Sequence, residues 1–65
     1  MYRFNTEIEL IMNKTQASKE IGIDRSYLSL IINGRMACSK RTAYCIVKYI
    51  DEDAEIEDYF IREEN

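Results

Sequence analysis

Apolar residues recur along this chain at three- and four-residue intervals, in short runs separated by polar clusters, which is the spacing of amphipathic helices. Thr6-Glu7-Ile8-Glu9 has the form of a capping box, and Ile8, Ile11 and Met12 follow it at helical spacing, so a first helix is predicted there. Asn13 precedes Lys14-Thr15-Gln16, an N-cap with Gln three residues on, and predicts a second helix running to about Ile21 with Ala17 and Ile21 inward. Gly22 suits the left-handed conformation that ends a helix. Asp24 then caps a third helix from Arg25 to about Ile32, with Leu28, Ile31 and Ile32 on one side and Asn33-Gly34 as its stop. Ser39 caps a fourth, whose stripe is Ala43, Ile46, Val47 and Ile50 with Tyr44 and Tyr49 alongside. Asp53 is placed as the cap of a short fifth helix that buries Ile56, Tyr59 and Phe60. Strict two-residue alternation nowhere runs far enough to propose a sheet, so the pattern reads as all-α.

Within this pattern the stretch from Lys14 to Gly34 is the most specific. Two short helices joined by Gly22-Ile23-Asp24 cannot lie antiparallel over so brief a turn and are expected to cross steeply, as a helix-turn-helix does. Ser18, four residues before Gly22, is small enough to let the helices approach. Ile23 is an apolar residue inside the turn, and Leu28 and Ile31 fix the crossing from the second helix.

Length and composition narrow the function. Sixty-five residues, 46% hydrophobic and 32% charged, with two Gly and no Pro, make one globular domain, residues 1–65, rather than a disordered or loop-rich chain. A chain this short buries only about 60% of its unfolded surface and cannot frame a deep cleft between domains. It has no histidine, so the commonest general base and zinc ligand is missing. Cys38 and Cys45, the two cysteines, read as small apolar residues in a reducing cytosol rather than as a disulfide or part of a metal site. The first residues lack the apolar run of a signal peptide, and no stretch approaches the ~20 apolar residues of a membrane span. A soluble, cytoplasmic binding protein is expected, with no enzyme activity, no cofactor and no metal.

The net charge of −3 conceals an asymmetry. Residues 1–50 hold eight cations against four anions, a net of +4, whereas residues 51–65 hold eight anions against Arg62 alone, a net of −7. A basic body with an acidic helix and tail fits polyanion binding on one face only.

The segment NKTQASKEIGIDRSYLSLIING resembles the Cro/CI-type, XRE-like helix-turn-helix repressors of temperate phages, and the resemblance extends from about Thr6 to Phe60. It implies a compact five-helix bundle of the lambda-repressor type, with the motif at about residues 14–34, working in the cytoplasm of a bacterial host. It also implies a sequence-specific transcription regulator that binds a double-stranded DNA operator, as a homodimer on a two-fold-related site. In that family the second helix of the motif enters the major groove. Carried over, Arg25, Ser26 and Ser29 are the base-reading residues, Arg25 toward guanine. Lys14 and Thr15 would grip the phosphate backbone at the start of the preceding helix, and Arg35, Lys40 and Arg41 the flanking phosphates. The chain departs from the family at Leu30, which lies outward where a polar or basic residue is usual, with Tyr27 and Met36 partly exposed nearby. This departure supports an alternative: a modulator of repression, or antirepressor, that docks Tyr27, Leu30 and Met36 on a partner repressor and blocks its DNA binding. The outer side of the last helix, around Ile56, Tyr59, Phe60 and Ile61, is the expected self-association surface.

Overall fold

In the computed structural model, which describes residues 1–64, the two ends of the chain meet in a small antiparallel sheet beneath three helices. The elements are β1 (Tyr2–Phe4), α1 (Lys14–Ile21), α2 (Arg25–Ile32), α3 (Lys40–Ile50), a single 3-10 turn (Ile56–Asp58) and β2 (Phe60–Arg62). The fold is therefore mixed α/β with three α-helices. It is not the all-α five-helix bundle that the apolar spacing and the family resemblance led us to expect.

The three helices start and stop where the local signals place them. Asn13 Oδ1 accepts the Gln16 N–H at 3.1 Å, Asp24 Oδ2 accepts the N–H groups of Ser26 at 2.9 Å and Tyr27 at 3.4 Å, and Ser39 Oγ accepts that of Thr42 at 3.3 Å. At the other end of α1, Gly22 adopts φ +87°, and the N–H groups of Gly22 and Ile23 both donate to the Ser18 carbonyl. After α2, Gly34 takes φ +73° and Arg35 N–H returns to the Leu30 carbonyl at 2.9 Å. Lys48 closes α3 by donating from Nζ to the carbonyls of Glu52 (3.0 Å) and Ala54 (2.8 Å), fastening the following turn to the helix.

The first expected helix is absent because a tighter local competitor takes its backbone groups. Asn5 Oδ1 accepts the Glu7 N–H at 3.1 Å, and the Ile8 N–H donates to the Asn5 carbonyl. The chain turns there and runs on without helix to Asn13. Ile8, Leu10 and Met12 pack half-buried against the core while Ile11 is fully exposed, which is alternation at a period of two.

The fifth expected helix shrinks to one 3-10 turn. Asp53 does not cap it; its own N–H donates to Asp51 Oδ1 in a local turn. Glu55 stands at the cap position, and Asp58 Oδ2 accepts the Glu55 N–H at 2.8 Å. The chain then extends as β2, pairing Tyr2 with Arg62, Arg3 with Ile61 and Phe4 with Phe60. On its other side β1 is bridged by Cys38, whose N–H and carbonyl exchange bonds of 2.7 and 2.8 Å with Tyr2.

The sheet completes the core rather than decorating it. Phe60 and Phe4 meet edge-to-face with ring centroids 5.4 Å apart, and both are buried with Leu28, Ile31, Ile46 and Val47. Burial of Ile56 and Phe60 overturns the expected self-association surface, of which Ile61 alone is well exposed. Cys38 lies outside α3, at the bridge, while Cys45 is exposed on that helix; both are free. Burial pushes the Cys38 thiol up to about 11, so it is a neutral packing group at physiological pH. No helix among the described residues is long and apolar enough to cross a membrane.

Candidate nucleic-acid interface

Arg25, Ser26, Ser29 and Leu30 fall at relative positions i, i+1, i+4 and i+5 of α2 and so share one face. The opposite face carries Leu28, Ile31 and Ile32 into the core, which fixes the outward direction of the polar one. Asp24 holds the start of α2 through two charge-assisted bonds, and Gly22 sets where the turn delivers α1. Together these place Lys14, the first residue of α1, beside the α2 face. The result is an open groove of about 400 Å³ lined by Lys14, Arg25, Ser26, Ser29 and Leu30.

Five residues named from the sequence are thus brought together: four as DNA contacts, and Leu30 as a partner contact. Ser29 is oriented by Asn33, whose Nδ2 donates to Ser29 Oγ at 3.4 Å. Asn33 enters the sequence pattern only as part of the helix stop; its i+4 spacing from Ser29 is the signal for this contact. Lys14 also borders a second groove of about 290 Å³, with Thr6, Leu10 and Asn33 among its walls.

The remaining named residues do not join this groove. Thr15 is exposed on the first turn of α1, and its carbonyl accepts from Ser18 Oγ at 2.9 Å. Arg35 lies in the turn after α2, and Lys40 and Arg41 open α3; all three are exposed. Of the expected partner-binding trio, Leu30 lines the groove and is 38% exposed, whereas Tyr27 packs against the core, which removes much of its surface from any partner. Met36 is exposed beyond the helix stop and does not line the groove.

Electrostatically, the helix starts are unusual. None of the three helices has an acid in its first turn; α1 begins with Lys14, α2 with Arg25 and α3 with Lys40-Arg41. A cation at a helix N-terminus opposes the macrodipole, at a cost of about 0.3–1 kcal/mol each where exposed, and the sign reverses when an external anion sits between them. The ion pairs among the described residues are Arg3–Glu63 at 2.7 Å and Arg62–Glu64 at 3.6 Å. Neither uses Lys14, Arg25, Arg35, Lys40 or Arg41. Among the described residues, no group of three His, Cys, Asp or Glu side chains could hold a metal ion. No protein-family model, curated protein or solved structure matches the chain.

Proposed function

We propose that this chain is a small transcription regulator of the Cro/CI helix-turn-helix type that binds operator DNA through α2. One observation carries the reading: the groove that gathers Lys14, Arg25, Ser26, Ser29 and Leu30 on the exposed side of two capped helices. Arg25 supplies a planar fork for guanine O6 and N7, Ser26 and Ser29 short hydroxyls for base edges or phosphate, and Leu30 an apolar contact for a thymine methyl. Lys14 neutralises backbone phosphate at the start of α1, helped by Thr15 and the free N–H groups there. Arg35, Lys40 and Arg41 extend the cationic track to flanking phosphates. The protein acts in the cytoplasm, as a dimer on a two-fold-related site.

The test is DNA binding measured as a function of salt, using fragments from the protein's own locus. Affinity should fall steeply with salt in proportion to the phosphates neutralised. Arg25→Ala should cost about 1–3 kcal/mol and relax sequence choice at one position, whereas Lys14→Ala should weaken all sequences alike and flatten the salt slope by about one. Equal loss on every sequence for Arg25→Ala would sink its base-reading role.

A second reading is favoured by Leu30 itself, an exposed apolar side chain in the centre of a polar face, and by the acidic balance of the chain. On this reading the same groove docks on a partner repressor and occludes its DNA-binding surface, with Leu30 as the anchor. Leu30→Glu should then abolish capture of the repressor. A variant that still released the repressor from DNA at wild-type concentrations would remove this reading.

A further inference from the structure

Lys14 is half-buried, yet it takes part in neither ion pair among the described residues. It lines two grooves: the one along α2, and a neighbouring one of about 290 Å³ whose other walls include Thr6, Ile8, Leu10, Ile32 and Asn33. The chain from Asn5 to Asn13 shapes the second groove. It runs without helix, packing Ile8 and Leu10 against the core and leaving Glu7 and Glu9 exposed. Thr6 is held by its methyl group, which lies 2.6 Å from where a Cβ on Gly34 would stand. The groove therefore joins aliphatic walls to three donors: the Lys14 ammonium, the Thr6 hydroxyl and the Asn33 amide. Asn33 Nδ2 carries two hydrogens, one of them given to Ser29 Oγ at 3.4 Å.

The donor set selects the chemistry of an occupant. Ammonium, amide N–H and hydroxyl all donate to an anion. A single cation, with Glu7 and Glu9 exposed on the same segment, suits one negative charge better than the two of a phosphate. Ile8 and Leu10 suit an apolar body. An apolar cavity of roughly 150 Å³ holds benzene, so this groove has room for about ten non-hydrogen atoms. We propose that the groove binds a small carboxylate with an apolar body, and that the bound acid weakens DNA binding by drawing Lys14 from the α2 groove and Asn33 from Ser29. The site rests on its own geometry, and the regulatory effect rests on the DNA reading. The carboxylate accepts from Lys14 Nζ, which then no longer neutralises a backbone phosphate. Asn33 Nδ2 exchanges its long bond to Ser29 for a charge-assisted one, and the Ser29 hydroxyl loses its orientation. The linkage is reciprocal, so saturating DNA lowers the affinity for the acid by the same factor.

The probes are octanoate and phenylacetate, compared with their uncharged carboxamides and with acetate at equal concentration. Binding is read from backbone N–H chemical shifts of the full chain at millimolar concentrations, the range expected for so small a ligand in an open groove. One acid or both should shift the signals of Thr6, Lys14 and Asn33, whereas the carboxamides and acetate should not. Thr6→Glu places a competing carboxylate in the groove and should weaken acid binding about tenfold. Thermal unfolding checks that this variant is folded; if it is not, the comparison of acid with carboxamide decides. Arg25→Ala should leave acid binding unchanged, which separates this site from the α2 groove. At saturation the acid should weaken DNA binding about tenfold and lower the salt slope by about one, as Lys14→Ala does, and should leave the DNA affinity of Lys14→Ala unchanged. No shift from either acid, equal shifts from carboxamide or acetate, or undiminished binding by folded Thr6→Glu would each overturn the site. Acid bound in the groove with DNA affinity unchanged would overturn the regulation. A chain that binds the acids but no DNA at any salt would remove the DNA reading and the regulation with it, and would leave the site standing.

Discussion

The helical pair of residues 14–34 and the terminal sheet are built on opposite principles. In the pair, every boundary is set by a partner a few residues away: Asn13 with Gln16, Asp24 with Ser26 and Tyr27, Gly22 with Ser18. In the sheet, every contact between β1 and β2 spans nearly the whole chain, from Arg3 to Ile61 and from Met1 to Glu63. The pair exposes unpaired cations, whereas the sheet engages its cation Arg3 with Glu63 and with the Gly34 carbonyl at 2.8 Å. The division is between a surface left open and a closure that holds that surface up. Arg3 joins the two, because Gly34 is the residue that ends the face carried by α2.

The sharpest way to break this contrast is to remove the closure. Phe60 is 2% exposed and packs edge-to-face on Phe4. Phe60→Ala should cost about 3–5 kcal/mol, a large share of the ~5–15 kcal/mol that stabilises a typical domain, and should leave much of the protein unfolded in a urea titration. A loss below that of an exposed-site substitution would mean the helices stand without the sheet. Next in size, Asp24→Ala removes the cap of α2 and should cost about 0.5–2 kcal/mol in the same titration, with DNA affinity falling further because the groove loses its positioning. If stability drops but binding per folded molecule does not, the cap serves the fold alone.

The smallest effect lies in the link between the two regions. The Arg3 guanidinium, through its hydrogen bond to Glu63, holds that carboxyl below the usual carboxylate range, and Arg3 is raised in turn. A group with a lowered folded-state pKa contributes stability that is present above its unfolded value and lost as pH falls through the folded one. The difference in melting temperature between wild type and Glu63→Gln should therefore be small and positive at neutral pH and vanish on acidification. Both groups are solvent-exposed, so the difference should also shrink in high salt.

The same contrast explains what could be read from the sequence. The boundaries of α1, α2 and α3 were legible because caps and glycine stops act within four residues. The candidate groove was legible because four of its five residues lie on one helix, while Lys14 arrives across a single turn. Thr15, Lys40 and Arg41 open other helices and Arg35 lies in the turn after α2, and spacing along the chain does not report how near they come to the groove. Tyr27 is half-buried, in keeping with the partial exposure expected of it, and its packed side lies against the core. The apolar set Ile8, Ile11 and Met12 fits a helix numerically, but Asn5 captures the backbone first, and the segment follows the period of Ile8, Leu10 and Met12 instead. Ile56 and Phe60 are buried as the pattern predicts, but on a 3-10 turn and a strand rather than on a helix, and the residue that Phe60 pairs with lies 56 positions earlier. No local window contains both halves of a sheet whose strands are the first and last elements of the fold.

That arrangement has a consequence for biosynthesis. Tyr2 and Phe4 leave the ribosome nearly sixty codons before their neighbours Arg62 and Phe60. During translation the three helices can form and begin to pack, while one wall of the interior stays unsealed and the strand edge of β1 remains bare. The nascent chain thus holds its aromatic surface open until Phe60 is made, an interval in which that surface is available for misassociation.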